Sequence, residues 1–414
     1  MGWLRAWLGM VVLVGSAMAQ EEKPKGPSER EKLVAGITAF ACDLYGELRK
    51  QEGNLFLSPF AVSTAGGMLT VGAAGKSEAE LRKTFHFPER DTLLATWPKL
   101  RKRLGKAVGG GMTLRFANAA CVEKTEPVTP AYQKTLADVF RLPWYPMDFR
   151  NDPDGSVRKI NAWAARKTNQ EGMDILRPGD IDREVTKLVL LNASYFKGTW
   201  ADAFPQRSTR PRTFHLDGER ETKVATMRRE VEQRIADREL LTVVPLAYRS
   251  SSIEMVLLVP KEIDGLAKVE QELSAEKLTE WMVRDDGWRD VKLKLYLPKL
   301  AYESRFDLLA AISQLGVKDV LSTHTADLSP MFGPESLQVS DPPFLAMFVH
   351  ASGIRVFEEG TVAWSKTAER IDWGGELPQK DLTIRADRPF LFLIRERKTG
   401  LILYLGRVVD PSQQ

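Results

Sequence analysis

Phe357–Thr367 reads FEEGTVAWSKT, a polar, strand-like stretch whose every second residue from Thr361 is small. Written as extended backbone, it places Thr361, Ala363, Ser365 and Thr367 on one face, because side chains alternate across a strand. All four are small. Val362, Trp364, Lys366 and Ala368 take the other face, and Glu369–Lys380, ERIDWGGELPQK, adds several cleavable bonds with few side chains to bury. Then Arg388–Pro411, RPFLFLIRERKTGLILYLGRVVDP, gives two dense β runs joined at Lys398-Thr399-Gly400, a hairpin signal. A polar segment able to become a strand is thus tethered to a rigid sheet.

Other blocks of the chain fall into the same frame. Asn54-Leu55-Phe56-Leu57-Ser58-Pro59 is one such block, Asn161-x-Trp163 with Thr168 another, and Leu191-Asn192-Ala193-Ser194-Tyr195-Phe196-Lys197-Gly198-x-Trp200 a third. Leu315-Gly316 is followed by Ala326-Asp327-Leu328-Ser329. With Glu-Glu-Gly-Thr at 358–361, Arg-Pro-Phe-Leu-Phe at 388–392 and Gly-Arg-Val-Val-Asp-Pro at 406–411, this series resembles the serpin family in the correct order over residues 34 to 411.

The resemblance implies an α+β serpin fold, about nine helices around three β-sheets, with an exposed reactive-centre loop over about 358–380. It implies a metastable body whose central sheet lacks one strand, and a suicide substrate that traps a serine protease, or as a second class a cysteine protease, as a covalent acyl-enzyme. Glu358, Glu359, Gly360, Thr361, Ala363, Ser365 and Thr367 are the hinge of that loop. Fifteen residues from Gly360 to Gly374 span roughly 50 Å when extended. Counting forward by the family's loop length puts the reactive bond at Gly374–Gly375. Trp373 would suit a chymotrypsin-like pocket, Arg370 a trypsin-like one, and a small residue an elastase-like one. Lys299 matches the partner of Glu358 at the top of the sheet, with Trp200 in the same region. Ser58, Asn192 and His350 match the polar cluster that holds the sheet closed, although Ala61 stands where a second serine is usual. Trp364 and Lys366 depart from the alanines common in inhibitors, so a non-inhibitory, binding or chaperone-like member of the fold is the alternative.

Composition bounds the remaining possibilities. A length of 414 residues favours two or three domains, yet no linker divides the chain after residue 30. The expected division is a signal peptide at 1–19, a flexible start at 20–33 and one serpin domain at 34–414. Arg5, an apolar run from Ala6 to Val14 and Ala17-Met18-Ala19 carry the signal-peptide reading. The apolar run is too short for a permanent anchor, so a soluble, monomeric protein outside the cytoplasm, extracellular or periplasmic, is expected. The net charge of +4 implies no general affinity for nucleic acid. Cys42 and Cys121, the two cysteines, exclude a disulfide-dense scaffold and read as buried small hydrophobes, with one bridge as the alternative.

One local charge contrast remains. Lys99, Lys102, Arg103 and Lys106 share one side of a helical pattern opposite Leu93, Trp97, Leu100 and Leu104, although Pro98 and Gly105 weaken the helix. In the serpin resemblance this helix binds sulfated polysaccharide in some members, so those four residues are a candidate polyanion site; a solvated basic face is the plain alternative. Enzyme motifs fail on inspection. Gly72–Ser77 resembles a phosphate-binding loop out of register, because Thr70 stands where glycine is needed. Ser274-x-x-Lys277 has no Ser-x-Asn companion, and His86, His215, His324 and His350 show no metal-ligand spacing. No cofactor or catalytic residue is expected. Asn192-Ala193-Ser194 is formally a glycosylation sequon inside an apolar strand.

Overall fold

The computed structural model describes residues 26–168, 174–361 and 381–413. Helix α1 (Glu29–Leu48) starts on a capping box: the Glu31 amide donates to Ser28 Oγ while the Ser28 amide donates to the Glu31 carboxylate. Residues 29–33, expected in the flexible start, are therefore helical. Strand β1 (Leu55–Leu57) leads into α2 (Pro59–Gly72), which Ser58 caps and Pro59 begins. Every residue of α2 is buried, so it is apolar all round rather than amphipathic. Gly66 in α2 answers a close approach, since a Cβ there would meet the Phe85 ring at 2.3 Å.

Next come α3 (Gly75–Thr84) and α4 (Arg90–Ala107). Pro98 lies inside α4, yet the helix is continuous. An interior proline costs about 3 kcal/mol, whereas burial of Leu93, Trp97, Leu100 and Leu104 returns about 1.5–3 kcal/mol for each large side chain. Tertiary packing outweighs the breaker. The chain continues through β2 (Met112–Glu123), α5 (Pro130–Thr135), β3 (Trp144–Met147), α6 (Pro153–Thr168), β4 (Leu188–Thr199), β5 (Arg210–His215), β6 (Glu221–Asp237), β7 (Leu241–Ala247) and β8 (Ile253–Pro260). Then follow α7 (Leu266–Glu272), α8 (Ala275–Val283), β9 (Trp288–Pro298), β10 (Leu300–Asp307), α9 (Leu309–Gln314), α10 (Ser329–Phe332), β11 (Leu345–Phe357), β12 (Gly360–Thr361), β13 (Asp381–Arg385), β14 (Phe390–Glu396) and β15 (Ile402–Val408).

Among the described residues these strands form two hydrogen-bonded networks rather than three separate sheets. The central sheet has six strands in the order β10-β11-β12-β4-β2-β3. The other has nine, β1-β15-β14-β8-β7-β6-β9-β13, with β5 paired to β6. Two of the three expected sheets fuse because one long strand serves both: β6 pairs with β9 over Thr226–Ala236 and with β7 at Ala236–Asp237. The hairpin signal at Lys398-Thr399-Gly400 corresponds to the β14–β15 turn, where the buried Glu396 carboxylate accepts from the Lys398 and Thr399 amides.

Packing gives the central sheet two different faces. Val157, Ile160, Trp163 and Ala164 of α6 cover one face, against Ala117, Ala119, Val189, Leu191, Val349 and Ala351. The other face turns toward the main core and α2. Cys42 and Cys121 are both free and buried, in separate apolar clusters, so they are not bridged. Burial pushes the Cys42 thiol up to about 12 and the Cys121 thiol higher, leaving neither reactive.

Candidate functional site

The seam between β4 and β11 is the unusual feature of the central sheet. These strands pair directly and in parallel from Leu188↔Leu345 to Ser194↔Ser352. Above that they part. Into the gap turns β12, pairing antiparallel with both sides: Thr361 faces Val356 and Gly198, and Gly360 faces Phe357 and Thr199. Glycine is needed at 360 because a Cβ would lie 2.1 Å from the Gly198 carbonyl oxygen. Thr361 is fully buried, and its hydroxyl lies 2.9 Å from the hydroxyl of Tyr248. Burial pushes that phenol far above its ordinary range, so it stays neutral.

The turn before β12 is held by hydrogen bonds to its carbonyls and both of its carboxylates. Trp200 donates its indole Nε1–H to the Phe357 carbonyl at 3.0 Å and its amide to the Glu359 carbonyl at 2.9 Å. The Phe204 amide donates to the Glu358 carbonyl at 2.8 Å. Trp200 also stacks on Tyr248, ring centroids 4.6 Å apart. Lys299 Nζ meets the Glu358 carboxylate at 2.9 Å, Thr209 Oγ1 donates to it at 2.8 Å, and Gln206 Nε2 donates to the Glu359 carboxylate at 2.6 Å. Burial raises the Glu358 carboxyl, but the hydrogen bonds from Lys299 and Thr209 outweigh it and hold the group below its usual range. The Glu358 carboxylate is therefore an anion.

Half-way down the seam lies a buried polar chain. His350 and Asn192 are Cα partners across β11 and β4. The Ser58 amide donates to His350 Nε2 at 2.9 Å, so Nε2 is the acceptor and Nδ1 carries the proton toward Asn192 Oδ1. Asn192 Nδ2 donates in turn to Asn118 Oδ1 on β2. Ser58 Oγ donates to the Leu403 carbonyl at 2.7 Å and accepts from the Ala61 amide at 3.2 Å. Burial pushes the His350 imidazole down to about 3. Asn192 is itself fully buried, which closes its sequon to a glycan.

The structure joins Ser58, Asn192 and His350 in one chain, and Trp200, Lys299, Glu358, Glu359, Gly360 and Thr361 in another. Sequence reasoning missed Tyr248, Thr209, Gln206 and Asn118. Ala363, Ser365, Thr367, Arg370, Trp373, Gly374 and Gly375 lie outside the described residues, as does the expected signal peptide at 1–19. On α4 the expected basic side is divided. Lys99, Lys102 and Lys106 are exposed, whereas Arg103 Nη2 turns to within 3.8 Å of the Glu396 carboxylate, whose side chain is 1% exposed. Arg103 is committed to the hairpin and does not belong to the free face. Among the described residues no helix is long and apolar enough to cross a membrane.

A loop start already wedged into a parted parallel seam matches what the family comparison finds independently. The sequence model described as Serpin (serine protease inhibitor) matches residues 35–411. The chain is a serpin. It belongs to a family of protease inhibitors rather than enzymes. Leukocyte elastase inhibitor A of Mus musculus is 34% identical to this serpin, over 92% of this chain and 100% of the relative. Among solved structures, uncleaved ovalbumin aligns at a TM-score of 0.81 and 26% identity, covering 92% of this serpin and 100% of ovalbumin. A loop-inserted, cleaved ovalbumin mutant aligns at a TM-score of 0.79 and 25% identity with the same coverage.

Proposed function

We propose that this serpin is a secreted, monomeric suicide substrate that traps serine proteases by loop insertion. One observation carries the reading: Gly360–Thr361 is paired to both β4 and β11 while those strands still pair with each other below. The protease serine oxygen attacks the Gly374 carbonyl carbon, the bond to the Gly375 nitrogen breaks, and the freed amine takes the proton. The segment following Thr361 then continues down the seam, replacing β4–β11 contacts with two new ladders.

Register fixes what that segment meets. Thr361 pairs with Gly198 and Val356, which lie on the same face as Asn192 and His350, so Ala363, Ser365 and Thr367 would travel toward that polar chain. Val362, Trp364 and Lys366 would face α6. Small side chains on the inner face keep the desolvation and packing cost low. A small residue at the cleaved bond, together with the elastase-inhibitor relatives, favours an elastase-type protease as target. The exposed residues Lys99, Lys102 and Lys106 on α4 support a sulfated polysaccharide as a second ligand.

Incubation with trypsin-, chymotrypsin- and elastase-type proteases and a cysteine protease tests the reading. An adduct that survives denaturant is expected, and the cleaved protein should melt roughly 10 °C or more higher, from about ten new strand hydrogen bonds. Cleavage with no adduct and no rise in melting temperature assigns the non-inhibitory, binding or chaperone-like role instead. The polysaccharide is tested separately. Retention on a sulfated column should fall with salt and be lost in the triple variant Lys99→Ser, Lys102→Ser, Lys106→Ser, while Arg103→Ser alone changes it little. Retention indifferent to salt removes that site.

A further inference from the structure

Beside the loop lies a cationic cluster that the trapping reaction does not use. Arg385 on β13 and Arg212 on β5 both set their guanidinium carbons against the Tyr296 ring of β9, at 4.2 and 4.8 Å from its centroid. Arg228 on β6 and Arg385 are the Cα partners of Tyr296 on either side. One row of the sheet therefore reads Arg228, Tyr296, Arg385, with Arg212 folded over it. Among the described residues, neither Arg212 nor Arg385 has a carboxylate partner, and the Nε–H groups of Arg212 and Arg228 are buried without an acceptor. Only Arg228 is paired, to Glu230, which also serves Lys294 at 3.4 Å. The other acids on this face, Glu232, Asp290 and Asp381, stand opposite Lys292, Arg234 and Lys292 again, farther along the strands. They leave the arginine end unneutralised.

The position of the cluster matters as much as its charge. β13 begins at Asp381, where the loop re-enters the described structure, and Arg385 is four residues farther, about 13 Å along the strand. Tyr296 is three residues before Lys299, which holds Glu358 next to the loop's other anchor. The row thus lies four residues from one described end of the loop and three from the residue that anchors the other, the side from which a protease engaging the loop would approach.

We propose that Arg212, Arg228 and Arg385, held by Tyr296, form a docking site for an acidic surface on the target protease, beside the loop and independent of the residue at the cleaved bond. This rests on the loop being a protease substrate, but not on its insertion. Planar guanidiniums fixed against an aromatic ring are pre-organised for carboxylates, and such a patch acts mainly on encounter rate and salt dependence. Polysaccharide is the competing occupant.

The probe is a protease that cleaves the loop, with its active-site serine replaced by alanine, so that binding is read without trapping. Its dissociation constant is measured from about 0.05 to 1 M salt against the wild-type serpin, the double variant Arg212→Gln, Arg385→Gln, and the single variant Arg385→Glu at an exposed position. Roughly tenfold weaker binding at low salt, converging with wild type at high salt, is expected of both variants at unchanged melting temperature. Equal affinities at every salt concentration overturn the docking site. Loss of heparin retention with unchanged protease binding also overturns it and assigns the patch to polysaccharide. If active protease cleaves the serpin without trapping while the variants still bind weakly, the trapping reading fails and the docking site stands.

Discussion

Thr361→Arg is expected to abolish the denaturant-stable protease adduct while leaving loop cleavage intact. Thr361 is the first residue of β12 with a side chain inside the seam, fully buried, with its hydroxyl on Tyr248. No carboxylate faces that slot from Val356, Gly198 or Tyr248, so an arginine there is either an unpaired buried charge or it withdraws β12 from the sheet. An unpaired buried charge costs several kcal/mol. Even about 3 kcal/mol added to the insertion barrier slows insertion roughly 100-fold, since each 1.4 kcal/mol is a factor of ten. Hydrolysis of the acyl bond then wins, and the serpin turns over as substrate. The uncleaved protein loses little, about 0.5–1.5 kcal/mol for the Thr361 hydrogen bond, because the loop can stand clear. Thr361→Ser keeps the hydroxyl and the size, and should retain the adduct. Quantifying adduct against cleaved serpin on a denaturing gel decides it: adduct from the arginine variant at wild-type yield removes Thr361 from the hinge.

What the sequence could reveal of this site depends on how local each contact is. The alternation of small residues from Thr361 is readable because strand periodicity is a property of neighbours, and Thr361 does lie in the sheet. Asn192 and His350 are readable only through resemblance to other chains. Nothing in the sequence announces Tyr248, 113 residues from Thr361, or Thr209, 149 residues from Glu358, or Asn118, 74 residues from Asn192. These are ordinary polar side chains whose role exists only after the sheets assemble. Arg103 shows the converse error. A helical wheel groups it with Lys99, Lys102 and Lys106, but it cannot show the Glu396 carboxylate arriving from a distant hairpin. The helical start at Glu29 was legible, since Ser28-x-x-Glu31 is a capping box written in the sequence. The fused sheets were not, because period-two alternation in β6 says nothing about which partners it takes at each end.

The stability of the closed sheet should fall with acid, and His350 is one of the groups through which it falls. His350 is fully buried and neutral, pushed down to about 3 by burial, whereas in the unfolded chain it titrates near its ordinary 6.5. Between those values the unfolded state binds the extra proton. Its contribution to stability is therefore complete above pH 6.5 and is lost as pH falls toward 3, at up to about 1.4 kcal/mol per pH unit. The same proton acts on the seam. Because His350 faces Asn192 directly across β4 and β11, loop insertion must break their hydrogen bond, and parting the strands lets the imidazole reach water and protonate. Acid should thus favour the parted sheet over the closed one. Urea midpoints at pH 8, 6.5, 5 and 4, for wild type and for His350→Gln, separate this group from the carboxylates, which both proteins share. The wild-type slope between pH 6.5 and 4 should exceed that of the variant, and spontaneous loop insertion, followed as a gain in heat resistance, should speed up at pH 5 only in the wild type. Parallel pH slopes in the two proteins would show that His350 is not the group that senses acid in the seam.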